Sequence, residues 1–351
     1  MIWCDKIPCR ADSFELAKYA LSCGATAYDI CLYIVCKNGH KEMAELMISH
    51  GATNFNDGLY GACSGGQKED RRKQKEIAEL MVSRGATEFD RGLHEACKGG
   101  HIELVNFMID RGATNFDWGL CSACYSGHKE LVELMINRGA TDFNLGLHKA
   151  CYSRHKEIAE LMVRHGATDF NSGLYYACYG GNKEIVELMI SCGATDFDWG
   201  LRGACLGGHK KIAELMMSRG AADFNRGLIA ACEGGYKEMV EFMISRGATD
   251  FNWDLRGACS GLDMACCRGH KKIAELLINH GATDLNNGLY GACYNGHKKI
   301  AELLISRGAT DLNRGLHGAC YGGYKEIVEL IGSLAPTAVC AYCGKLGAEH
   351  A

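Results

Sequence analysis

Proline is nearly absent from this chain, at two of 351 residues, and so is any strong excess of charge: the formal net charge is −4. Lysine and arginine are interspersed with acids, leaving no large basic field, which argues against nucleic acid and anionic membrane as partners. No apolar segment approaches the roughly 20 residues that span a bilayer, because Glu and Arg break each hydrophobic run within a few positions. The opening residues, MIWCDKIPCRADSFELAK, lack the basic stretch, apolar run and small-residue cleavage site of a secretory signal. These absences predict a protein of the reducing cytoplasm. Also missing are a phosphate-cradling glycine loop and any serine, histidine and acid constellation that stands apart from the general pattern. No enzymatic activity and no cofactor are expected.

What the chain holds in quantity is 45 glycines and 21 cysteines, within a composition of 47% hydrophobic and 23% charged residues that suffices for a folded core. The glycines reveal a period. Gly-Ala-Thr begins at Gly24, Gly51, Gly85, Gly112, Gly139, Gly166, Gly193, Gly247, Gly281 and Gly308, and Gly220 opens a Gly-Ala-Ala variant. Successive starts lie 27 residues apart except for two steps of 34. A fixed short period means an array of like repeats; the longer steps are insertions of seven residues, about two helical turns. The expected organisation is a degenerate capping repeat over 1–23, about eleven repeats over 24–334 with insertions near 67–76 and 255–266, and a tail over 335–351.

One repeat shows the physics. Leu147, Ala150 and Cys151 fall at i, i+3 and i+4, the stripe of a short helix, with His148, Lys149 and Tyr152 on the other side. Asn144 stands where an N-cap belongs. In the following helix Ile158, Ala159, Leu161, Met162 and Val163 form an apolar band too wide for a single neighbour, and Gly166 ends it where a left-handed residue is wanted. Each repeat is therefore a helix–turn–helix pair with apolar surface on two sides, which only stacking can bury.

Leu-x-x-Ala-Cys-x-x-Gly-His followed by Lys-Glu-Ile-Ala-Glu-Leu-Met-Ile-x-x-Gly-Ala resembles the ankyrin repeat, most clearly in Leu93 to His101, Leu120 to His128 and Leu147 to His155. The likeness runs from about Cys4 to Leu334. It departs from the family in length, because the usual repeat has about 33 residues and opens its first helix with Thr-Pro. Here Thr-Pro is absent and Gly-Ala-Thr-Asp-Phe-Asn is too short for the family's β-hairpin. The resemblance implies an all-α solenoid whose hairpins are reduced to tight turns, which accounts for the scarce proline. Compact repeats of this kind are similar to those abundant in giant DNA viruses, which would place the protein in a host cell. The family likeness further implies a non-enzymatic scaffold, a monomer, holding a protein partner along a concave groove, such as an adaptor for a host factor.

Twelve cysteines, Cys9, Cys36, Cys63, Cys97, Cys124, Cys151, Cys178, Cys205, Cys232, Cys259, Cys293 and Cys320, share one repeat position. Packed helices lie about 8–10 Å apart, beyond disulfide reach, so free thiols serving as small hydrophobes are expected. The stretch RGACSGLDMACCRGH also allows a thiol- or zinc-dependent site at Cys259, Cys266, Cys267 and His270, and Cys340-x-x-Cys343 with His350 is a weaker candidate. Self-association as a structural protein is a further alternative. Repeat logic favours the structural role: Leu255 to Cys259 and Leu262 to Cys266 are two copies of one first-helix motif.

Positions that vary among the repeats are free to serve a partner. Trp118, Trp199 and Trp253 share one such position, and the first helices add Tyr125, His148, Tyr152, Tyr175, Tyr176, Tyr179 and Arg202 on the side away from the core. Trp, Tyr, His and Arg gathered on one surface have the composition of a protein-binding hot spot. These ten residues are the candidate contact set.

Overall fold

The computed structural model describes residues 27–65, 71–252 and 260–338. Among them are 22 helices and no strand, arranged as short helix pairs. The chain divides into two compact units, Met1–Asp169 and Phe170–Ala351. The first carries five pairs, from Tyr28–Lys37 with Lys41–Ser49 to Phe143–Tyr152 with Lys156–Arg164; the second carries six, from Phe170–Gly180 with Lys183–Ser191 to Leu312–Gly322 with Lys325–Leu334.

Within each unit the first helices of successive pairs lie side by side, and the second helices touch one another far less. The small residues of the motif permit this approach. A Cβ on Gly203 would stand 2.5 Å from the Tyr175 carbonyl oxygen of the preceding helix, so nothing larger than glycine fits there. The apolar stripes are buried as the periodicity predicts: Leu147, Ala150, Cys151, Ala159 and Met162 have no solvent exposure. Second helices end at a glycine for a different reason. Gly166 has φ +101° and open space around a would-be Cβ, so backbone conformation alone selects it, and Ala167 N–H closes the turn on the Met162 carbonyl at 3.0 Å.

The structure corrects the cap. Helix Phe143–Tyr152 is capped by Asp142, whose Oδ1 accepts Leu145 N–H at 3.0 Å, two residues before Asn144. Asn144 Oδ1 instead accepts the N–H groups of Thr168 and Asp169, at 2.8 and 3.0 Å, in the turn that opens the next repeat. The same strut recurs at Asp29, Asn56, Asp90 and Asp117 in the first unit and at Asn171, Asp198, Asn225, Asn252 and Asn286 in the second. With no strand among the described residues to pair neighbouring turns, a side-chain oxygen supplies the acceptor that each turn's two N–H groups need.

Both insertions leave the struts intact: Asn56 reaches Thr87 and Asn252 reaches Thr283 over 31 residues where other repeats use 24. The first lengthens a second helix to 13 residues, Arg71–Ser83, against the nine of Lys41–Ser49. Buried Gln74 donates its Nε2–H to the Lys37 carbonyl at 2.9 Å, a place that histidine takes in other repeats, as when His155 Nε2 meets the Tyr125 carbonyl at 3.2 Å. At the second insertion Gly261 and Leu262 N–H donate to the carbonyls of Asp250 and Phe251, and Ser260 caps helix Gly261–Cys267. Of the two motif copies, Leu262, Ala265 and Cys266 are fully buried, whereas Leu255 to Cys259 lie outside the described residues.

Candidate protein-binding face

Trp118 and Trp199 sit in the first turn of their helices, their N–H groups donating to the cap oxygens of Asn115 and Asp196 at 3.1 and 2.9 Å. That placement aims each indole back toward the preceding repeat. The Trp118 ring lies 4.2 Å from His94, and the Trp199 ring stacks on Tyr175 at 5.1 Å. Arginine occupies the same register elsewhere: Arg91 lies over Tyr60 at 4.2 Å and Arg314 over Tyr290 at 5.1 Å. One repeat position thus reaches the residue after the motif leucine of its neighbour, and each contact joins a Trp or Arg to a Tyr or His.

In the first unit the face presents Trp118, Tyr125 and Tyr152, all exposed, with Tyr125 and Tyr152 stacked at 6.1 Å. His148 is half-buried beside them in sequence register and holds Asp169, Nε2 to Oδ2, at 3.2 Å. In the second unit Tyr175 is the hub. Tyr176 meets it edge-on at 5.2 Å, Tyr179 lies at 6.5 Å, and the Arg202 guanidinium sits 5.8 Å above its ring. Tyr175, Tyr176, Tyr179, Trp199 and Arg202 are therefore one half-buried cluster. Trp253 lies outside the described residues.

The expected set was incomplete. His94, Tyr60 and Tyr33 extend the aromatic row in the first unit, with Tyr33 stacked on Tyr60 at 5.6 Å. Tyr290, Tyr294, His317 and Tyr321 form a second row in the second unit, where Tyr294 stacks on Tyr321 at 5.5 Å. All hold the same repeat positions as the chosen residues, so comparison of the repeats marks their positions but does not separate them from the chosen set. Glu95 carried no such signal. It is 6% exposed, with Oε1 2.9 Å from His94 Nδ1 and Oε2 3.8 Å from Lys98 Nζ.

Burial holds both His94 and His148 below the ordinary histidine value of 6.5, outweighing Glu95 beside the first and Asp169 beside the second. The folded state therefore keeps these rings neutral while an unfolded chain protonates them, so stability falls as pH drops through 6.5. His148→Gln should flatten that slope between pH 7 and 5 in urea melts; an unchanged slope would contradict the assignment.

The alternative thiol site divides among separate partners. Cys266 has no exposure, and burial pushes its thiol well above the usual range. Cys267 Sγ–H donates to Asp263 Oδ1 at 3.6 Å, and the His270 Nε2–H donates to the Glu233 carbonyl at 3.3 Å. Cys259, Cys340, Cys343 and His350 lie outside the described residues. No group of three or more His, Cys, Asp or Glu side chains among the described residues is disposed to hold a metal, and no helix there is long and apolar enough to cross a membrane.

Residues 120–198 and 201–288 match the family model described as ankyrin repeats (3 copies). No curated protein matches the chain.

Proposed function

From the premise that this chain carries ankyrin repeats, we propose that it is a non-enzymatic scaffold that holds a protein partner on the aromatic face of its first helices. Ankyrin repeats generally act as protein–protein interaction modules. The observation that carries the reading is Trp118: it is 41% exposed on a face whose core-directed neighbours, Leu120, Ala123 and Cys124, have no exposure at all. The stack needs the buried stripe; it does not need a wet indole. The cluster around Tyr175 supplies a second anchor of the type that dominates binding energy at interfaces. An adaptor that recruits or sequesters a host protein is one form of this function, and an intracellular, monomeric protein suits it.

Replacing Trp118, Tyr176 and Trp199 together by alanine tests the reading. Hot-spot anchors are worth upward of about 1 kcal/mol each, so capture of the partner by the immobilised chain should fall at least tenfold. Helicity should not change, and the melting temperature should move by only a few degrees. Undiminished capture by the triple variant would remove the aromatic face from consideration.

A further inference from the structure

The second helices of the array follow an electrostatic rule and then break it. Glu42, Glu103, Glu130, Glu157, Glu184, Glu238 and Glu326 each stand in the first turn, where the helix dipole favours an acid. Four of the described second helices have no acid there: Arg71–Ser83 at the first insertion, which opens on Arg71, Arg72 and Lys73, and three helices of the second unit. Lys210–Ser218, Lys271–Asn279 and Lys298–Ser306 each open on a lysine doublet instead: Lys210 with Lys211, Lys271 with Lys272, Lys298 with Lys299. Two cations facing the positive end of a helix are unfavourable on their own. Ion pairing relieves only part of this: Lys271 pairs with Glu275 at 3.8 Å and Lys298 with Glu326 at 3.4 Å, while Lys210 lies over the Phe242 ring at 4.7 Å. Among the described residues Lys211, Lys272 and Lys299 have no ion-pair partner, and all three are exposed.

Beside the first doublet is a cavity of about 410 Å³, lined by Lys183, His209, Lys210 and Lys211 with Ile212 and two turn glycines. No carboxylate lines it. A local electrostatic rule broken three times within the second unit, once beside a cavity whose charged lining is lysine, is the signature of a site kept for a ligand rather than for stability. We propose that this turn edge of the second unit docks an acidic segment of a partner protein, its carboxylates set against the lysine doublets and the N–H groups of the helix starts. The basic patches are small and interrupted, with Glu238 in the first turn of the helix that lies between the first two doublets in chain order, which suits a short acidic segment better than the continuous phosphate backbone of a nucleic acid. The lysine doublets lie outside the candidate aromatic set, and the two surfaces adjoin where the His209 Nε2–H donates to the Tyr179 carbonyl at 3.1 Å.

Fluorescein-labelled decaglutamate titrated into the full chain at low salt provides the probe, read by anisotropy. A K211E/K272E/K299E variant should bind it at least tenfold more weakly. K41E/K129E/K156E makes the same charge change in the first unit and should lose less than twofold. The melting temperature of the first variant should hold or rise, because other repeats already carry glutamate at that position. The W118A/Y176A/W199A variant should bind decaglutamate normally. Absence of binding, equal loss in both charge variants, a lowered melting temperature in the first, or tighter binding of a single-stranded oligonucleotide would each overturn the proposal.

Discussion

Met162→Ala should destabilise the first unit by about 2–5 kcal/mol and move its urea midpoint down accordingly. Met162 is fully buried in helix Lys156–Arg164, and its Sδ lies 3.8 Å from the Sγ of Cys124 in the preceding repeat. The same Cys–Met contact closes Cys36 on Met81 at 3.9 Å and Cys205 on Met243 at 3.6 Å. The side chain therefore fills the seam between repeats, where an unbranched thioether adapts to an irregular gap. Truncation forfeits the transfer free energy and leaves a cavity between two helices that the remaining contacts hold apart. Because stability in an array is close to a sum of neighbour interfaces, the damage should be local. Hydrogen exchange should quicken in Phe116–Ser126 and Lys156–Arg164 before it does in distant helices. Met162→Leu, which keeps the volume, should cost less than about 1.5 kcal/mol. An alanine variant with an unmoved midpoint would mean that the seam is not where the fold gets its stability.

The second large effect is chemical. Ten thiols of the repeat position, from Cys36 through Cys266 to Cys293, have no exposure, and none is disulfide-bonded. Burial pushes Cys97, Cys205 and Cys293 from the ordinary 9.0 up to about 12. At pH 8 that lowers the reactive thiolate about a thousandfold. In the native protein these three should alkylate at least about a thousandfold more slowly than in the urea-unfolded chain, followed peptide by peptide by mass spectrometry. Half-buried Cys121, Cys192, Cys267 and Cys320 should label first. Labelling of Cys205 at the rate of Cys192 would refute the seam assignment. The same burial makes the fold alkali-labile. Above pH 9 an unfolded chain sheds thiol protons that the folded chain keeps, so stability falls as pH climbs from 9 toward 12.

Much of this was legible in the residues. The 27-residue period, the left-handed glycine at Gly166 and the buried stripe of Leu147, Ala150 and Cys151 all follow from local rules that act over one or two turns of chain. The candidate face was legible only in part. Variation among repeats marked Trp118, Tyr175 and Trp199, but gave no reason to join them to His94 or Tyr60, because each contact spans two repeats. Glu95 was invisible for a similar reason: its burial depends on the helices around it, and nothing in its own neighbourhood marks an acid as buried.

Asn144 shows the division most clearly. Local propensity places an amide near the start of a helix, and both Asp142 and Asn144 satisfy it. Only the neighbouring repeat decides between them, because Asn144 is taken by the N–H groups of Thr168 and Asp169, 24 and 25 residues ahead, and the cap is left to Asp142. Periodicity and composition by themselves determined that the chain is a row of helix pairs with buried thiols. Which oxygen caps, which strut joins turn to turn, and which aromatic rings meet were decided by tertiary packing, since each depends on atoms that only stacking brings within about 3 to 6 Å of one another.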